Sequence, residues 1–260
     1  MRITDLRAPE IVYYTGLNEK QAKRIFEPEE GVFICESIRV IERAIAAGYQ
    51  PMSFFVEEGI EDKISALVPH EDVPVYAAPY DVMKDIIGYS LTGGVLCAMR
   101  RRPLPEIRQF ISSHERIVVL DDVENPTNVG AIFRSAAALG ADGIILAKGS
   151  ADPLYRRAAR VSMGCVFQIP WTYAKKDFMP YLKEAGFETF ALALSDEAVS
   201  IKNCAHHNEK TAVILGNEDH GISEEILSGC DKTVTIPMKK GVDSLNVAAA
   251  SAIAFWTLFN

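Results

Sequence analysis

The segment "RIVVLDDVENPTNVGAIFRSAAALG", residues 116–140, decides how the chain is read. Its first part, "RIVVLDDV" (116–123), is a continuous apolar run without in–out alternation, the pattern of a strand buried on both faces of a parallel sheet. Pro126 stiffens the turn that follows. From about Asn128, apolar residues recur at helical spacing (Val129, Ile132, Phe133, Ala136, Leu139) until Gly140 ends the run. A buried strand feeding an amphipathic helix through a short loop is the building unit of an α/β fold.

Working outward, the same alternation continues on both sides. Downstream, "DGIILAKG" (142–149), "FETFALAL" (187–194), "TAVILGN" (211–217) and "KTVTIPM" (232–238) read as strands, with helices near 153–163, 177–185, 223–229 and 244–258. Upstream, "VFICE" (32–36), "MSFFVEE" (52–58), "VPVYAA" (73–78) and "GVLCAMR" (94–100) read as strands. "SIRVIERAIAAG" (37–48) reads as a helix with Ile38, Ile41, Ala44 and Ile45 on one face. "RRRPLPE" (100–106), with two prolines, breaks the pattern as an extended linker. The expectation is a small α/β domain over residues 1–105, a linker to about 113, and a second α/β domain with a mostly parallel sheet over 114–260.

Composition narrows the functional classes. Of the 260 residues 48% are hydrophobic and 24% charged, as in a folded globular protein. No apolar run approaches the roughly 20 residues that span a bilayer, and "MRITDLRAPE" carries no apolar signal segment. The five cysteines (Cys35, Cys97, Cys165, Cys204, Cys230) are scattered and form no C-x-x-C pair. They suit a reducing cytosol better than a disulfide framework or a zinc site, so a cytoplasmic location and no metal are expected. The net charge is −8, and it is evenly spread: 12 Lys/Arg stand against 16 Asp/Glu up to residue 105, and 15 against 19 beyond it. A nucleic-acid partner would have to meet a local patch. Glycine loops of the dinucleotide and P-loop types and the G-x-S-x-G elbow are absent. The adjacent His206-His207 reads as a solvated loop, since neighbours in sequence do not readily face one metal.

Three segments place special residues just beyond a strand's C-terminal end, where open α/β sheets bind ligands. In "ENPTNVGAIFRSA" (124–136), Gly130 lies in the first helical turn and Arg134 is a lone basic group. In "ILGNEDHGIS" (214–223), Gly216 and Gly221 permit close backbone approach to a ligand, and Glu218 is a carboxylate able to orient a cation such as Arg134. In "IPMKKGVDSLNVAAASAIAFW" (236–256), Asp243 or Ser244 is a natural N-cap for the last helix, which leaves Asn246 unexplained.

In order and in kind, these three loops resemble the signature motifs of the SpoU (TrmH-type) class of the SPOUT superfamily of RNA methyltransferases. The resemblance covers residues 114–260; "FICESIRVIERAIAAG" looks like the small α/β substrate-binding domain often fused to it. It implies a C-terminal domain tied in a deep trefoil knot, S-adenosylmethionine bound in the knotted loops, a homodimer with active sites near the interface, and methyl transfer to a ribose 2′-hydroxyl of RNA. Carried over by position, Asn128, Arg134, Glu218, Ser244 and Asn246 fall on catalytic positions, and Gly216, Ile236 and Leu245 on positions that hold the donor. The chain departs from the class at Asp219-His220, where a glycine followed by a variable residue is common, and at Lys239-Lys240, where small or apolar residues are frequent.

Arg134 is the expected assistant in removing the hydroxyl proton, positioned by Glu218 and Asn128. For RNA contact, residues 153–176 hold Arg156, Arg157, Arg160, Lys175 and Lys176 and no acid, interleaved with Tyr155, Phe167, Trp171 and Tyr173, a pattern suited to phosphate contact and base stacking. Lys239, Lys240 and Arg100 to Arg102 are further candidates. Ribosomal RNA is the expected substrate. Competing readings are a transfer RNA 2′-O-methyltransferase, a base methyltransferase, and a non-catalytic RNA-binding or ribosome-assembly protein on the same fold.

Overall fold

The apolar runs of the sequence assemble into two separate sheets, one in each of two compact units. The structure, a computed structural model, describes residues 1–5, 7–15, 31–70, 72–87, 93–174, 177–195, 197–204, 209–242 and 244–259. The first unit comprises Met1–Pro103 with Leu154–Gln168, the second Leu104–Pro153 with Ile169–Asn260. The break at 103–104 falls in the expected proline-containing linker. The return of 154–168 to the first unit departs from the sequence reading, which kept everything beyond residue 114 in one domain.

Four strands form the first sheet: β1 (Val32–Glu36), β2 (Pro51–Glu57), β3 (Val75–Ala78) and β4 (Val95–Arg100), in the order β1-β4-β2-β3. β4 runs antiparallel to β1 and β2, and β2 parallel to β3. Cys35 and Cys97 face each other in register as buried free thiols, whose pKa values burial pushes up, keeping them protonated. The Ile38–Ala46 helix buries Ile41 and Ala44 of the expected face, and Val40 beside them, while Ile38 and Ile45 are half-buried.

A buried carboxylate is one of the contacts that bring 154–168 into this unit. Glu36 ends β1 with its side chain fully buried. Arg160 Nη1 lies 3.1 Å from Glu36 Oε1, and Arg156 Nε lies 3.9 Å from Oε2. Without such partners a buried carboxylate is costly. Arg43 of the Ile38–Ala46 helix donates to the Met163 carbonyl at 2.5 Å, and Phe167 packs its ring against Phe33 and Tyr49. One expectation for RNA contact is corrected here: Phe167 and Trp171 are buried, so neither ring offers a face to a base. Arg156 and Arg160 pair with Glu36 while their side chains stay 27% and 35% exposed. Arg157 is exposed. Lys175 and Lys176 lie outside the described residues, as do Asp243 and the pair His206-His207.

The second sheet is wholly parallel and has seven strands: β5 (Arg116–Leu120), β6 (Gly143–Leu146), β7 (Trp171–Tyr173), β8 (Glu188–Leu192), β9 (Val199–Ser200), β10 (Thr211–Leu215) and β11 (Lys232–Thr235). Their order is β7-β6-β5-β10-β8-β11-β9. The central β5 and β10 pair in register, with Val118 opposite Val213, and are buried on both faces. The sequence reading missed the two edge strands: β7 is three residues long and β9 two, too short for periodicity to register. From β5 the chain steps outward through β6 to β7, then returns to β8 and inserts β10 beside β5. That reversal opens a crevice at the strands' C-terminal ends, the usual ligand position in such sheets. The Pro126–Ala138 and Val247–Leu258 helices pack on each other.

Arg160→Ala should lower the melting temperature by about 4–8 °C, the response to losing roughly 2 kcal/mol of charge-assisted hydrogen bonding to a buried acid. Arg157→Ala should leave it unchanged. Thermal denaturation of both variants checks the contrast.

Candidate active site

The site is built from loops that leave β5, β10 and β11. After β5, Asn125 caps the Pro126–Ala138 helix by accepting from the Thr127 N–H at 2.9 Å, with Pro126 in its first turn. The helix therefore starts two residues before the predicted Asn128, which moves Asn128 into the first turn, buried. After β11, the last helix starts at Val247 rather than 244 because Asn246 is its N-cap: Asn246 Oδ1 accepts from Ala248 N–H at 2.9 Å.

These two asparagines and Glu218 form one relay. With its oxygen committed to the helix terminus, Asn246 presents its amide nitrogen, which donates to Asn128 Oδ1 at 3.2 Å. Asn128 in turn donates through Nδ2 to Glu218 Oε1. The relay joins all three loops and ends on a carboxylate, whose Oε2 has no hydrogen-bond partner among the described residues. Each amide is oriented by the bond before it.

The turn that carries Glu218 is built on glycine. Asn217 and Gly221 bond each other through both backbone groups, at 2.9 and 3.1 Å. This folds the backbone of Gly221 and Ile222 onto Gly216 so closely that a Cβ at Gly216 would run into it. Gly221 itself has φ +74°, in the left-handed region.

A cleft of about 670 Å³ opens at the C-terminal ends of β8, β10 and β11. The three expected donor-binding residues, Gly216, Ile236 and Leu245, all line it, together with Glu218, Ser244 and Asn246. Leu192, Leu215, Ile222 and Val234 supply apolar wall, and Glu218 and Asp219 make its charged lining acidic. A larger concavity of about 830 Å³ lies in the first unit, but it holds none of these residues, so size alone does not mark the site. Lys239 and Lys240 are exposed on the following turn and do not line the cleft.

One expected pairing is not found. Arg134 is exposed on its helix, and Glu218, expected to orient it, accepts from Asn128 instead. Among the described residues Arg134 has no ion pair. Sequence reading also missed Asn125 and the aspartates Asp121 and Asp122; the only signal was their position at the end of a strand. Among the described residues no group of three or more His, Cys, Asp or Glu is placed to hold a metal, and no helix is long and apolar enough to cross a membrane.

Residues 115–256 match the family model described as the SpoU rRNA Methylase family. The chain belongs to that family. It is an RNA methyltransferase, similar along nearly its whole length to an uncharacterized tRNA/rRNA methyltransferase of Mycobacterium bovis: 35% identity over 263 residues, covering 98% of this chain and 90% of that protein. A 23S rRNA (adenosine(1067)-2′-O)-methyltransferase of Streptomyces azureus is 26% identical over 226 residues, covering 85% and 83% of the two chains. Among solved structures, an AdoMet-bound rRNA methyltransferase from Sinorhizobium meliloti superposes with a TM-score of 0.86 at 25% identity, covering 99% of this chain and 96% of that one.

Gly216→Ala should disrupt the site locally. The added methyl meets main chain, which cannot rotate away, so the turn must shift at a cost of about 1–3 kcal/mol. The expected outcome is a methyltransferase with lowered stability and at least tenfold weaker methyl-donor binding, measured by denaturation and calorimetry. Wild-type values for both would remove Gly216 from the site.

Proposed function

We propose that this enzyme transfers a methyl group from S-adenosylmethionine to a ribose 2′-hydroxyl of RNA, ribosomal rather than transfer RNA. The observation that carries the reading is the Asn246–Asn128–Glu218 relay at the edge of the 670 Å³ cleft. Support for ribose and for ribosomal RNA comes from the similarity to the Streptomyces azureus 23S rRNA 2′-O-methyltransferase. The residues present fit the donor. The cleft is within the usual range for a small-molecule site, Gly216 brings main chain to its lining, and an acidic lining complements a cationic ligand. When bound, S-adenosylmethionine supplies an electrophilic methyl group on a sulfonium that leaves as a neutral thioether.

The chain's own residues then have distinct tasks. Gly216, Ile236 and Leu245 hold the donor against the cleft wall. Ser244 and Asn246 orient the ribose hydroxyl, and alignment of oxygen with methyl carbon supplies most of the acceleration. Glu218 Oε2 is the acceptor for the hydroxyl proton. Arginine keeps its proton at any working pH, so Arg134 serves by charge, holding an RNA phosphate and stabilising the developing alkoxide. Arg157, Lys239 and Lys240 make phosphate contacts, residues 1–105 form a substrate-binding domain, and Arg156 and Arg160 support that surface through Glu36.

The same reading includes a knotted path for the 236–246 loop, a cytoplasmic location and a homodimer. For the dimer, the last helix is apolar nearly all round: Phe255 is fully buried, yet Trp256 is 67% exposed and Ile253 39%. A helix apolar on every face favours burial on every face. Arg134, on the helix packed against it, then serves a site near the interface.

Arg134→Ala and Glu218→Gln should each lower the methylation rate by about 100-fold or more, with the circular dichroism spectrum unchanged. Nuclease digestion of ribosomal and transfer RNA after reaction, read by mass spectrometry, should show methyl on ribose of ribosomal RNA. Methyl on a base, or full activity in Arg134→Ala, would overturn the assignment; absence of donor binding by the wild type would favour a non-catalytic RNA binder.

A further inference from the structure

We infer that His220 and Asp122 form a positioning pair that holds one wall of the methyl-donor cleft in its binding shape. The inference rests on the donor reading above and adds two residues to it. His220 lies two residues beyond Glu218 and lines the cleft. Its Nε2 is 2.8 Å from Asp122 Oδ2, across a separation of 98 residues, joining the loop after β10 to the loop after β5. The imidazole is more than half exposed and the carboxylate less than a third, so the contact closes the rim of the site rather than its core.

Asp122 is itself held in an unusual conformation. Its φ is +57°, in the left-handed region that side chains other than Gly, Asn and Asp seldom enter. Its carbonyl accepts from Asn217 Nδ2 at 2.8 Å. Gly149 lies against its carboxylate so closely that any Cβ there would displace it. The preceding Asp121, buried, accepts from the Ser223 N–H at 2.7 Å. Consecutive aspartates thus grip the 217–223 loop: Asp121 fixes its exit at Ser223, and Asp122 its entrance at Asn217 and its middle at His220. Asn217 stiffens the turn between them by accepting from the Asp219 N–H at 2.8 Å. The structural grip on the backbone is supplied by Asp121 and Asn217. The His220 contact adds a side-chain latch beside Glu218, whose carboxylate must stay aligned with Asn128. His220 is therefore a positioning residue, acting through the loop that bears Glu218 and Gly216.

Calorimetry with S-adenosylmethionine tests this. His220→Ala should raise Kd roughly three- to tenfold, the effect of losing one partly exposed charge-assisted hydrogen bond. His220→Gln, whose amide nitrogen can reach the same oxygen, should restore most of the affinity. Asp122→Gly, which tolerates the positive φ, should match His220→Ala, and the double variant should be no weaker than either, because both remove one contact. Global melting temperature should stay at the wild-type value, while amide hydrogen exchange across 217–222 should rise in His220→Ala without donor present. Wild-type Kd and wild-type exchange in His220→Ala, or a His220→Gln variant as weak as His220→Ala, would overturn the inference. A wild-type protein that binds no donor would instead overturn the function reading beneath it, and the exchange measurement keeps the two failures apart.

Discussion

Asn128 has two hydrogen-bonding ends, and the second unit satisfies each with a residue from a different loop. A buried amide left half-satisfied would be costly. That cost makes the arrangement cooperative: the last helix cannot shift without exposing Asn128 Oδ1, and the β10 loop cannot shift without stranding its amide nitrogen. The order of strands follows from the same requirement. β10 must lie beside β5 for Glu218 to reach Asn128, and the chain passes through β8 before it can place β10 there. The cleft is a by-product of that reversal, bounded by loops the relay keeps together.

A second buried polar group plays the comparable role in the first unit. Glu36 is fully buried at the end of β1 and draws Arg156 and Arg160 onto it. The basic stretch that looked like an RNA surface is therefore in part an internal counter-charge. Charge runs in sequence carry no label for which members face solvent; the partner was more than 100 residues away. Among the described candidates, Arg100, Arg102, Arg157, Lys239 and Lys240 are exposed.

Much of the fold was legible because it rests on local physics. Continuous apolar runs such as Ile117–Leu120 and Ala212–Leu215 require burial on both faces, which only a covered parallel sheet provides. Helix and strand positions followed within a few residues. The helices Tyr80–Ile87 and Ile107–Ser112 were not read, the second lying in the stretch expected as linker, and other errors lie at the ends: Asn125 and Asn246 turned out to be the caps, displacing both helix starts from their expected positions. Several polar residues near each start offer plausible caps, and only packing selects among them. The edge strands β7 and β9 were invisible because two or three residues carry no period.

By itself the sequence determined the α/β class, the parallel character of the larger sheet, and which loops carry unusual residues, since composition and spacing act through neighbouring residues. Strand order, the pairing of Glu218 with Asn128 rather than Arg134, the commitment of Arg156 and Arg160 to Glu36, and the latch between His220 and Asp122 were decided only by tertiary structure. Each joins groups about 90 or more residues apart, where hydrogen-bond geometry and burial, and not chain proximity, choose the partner.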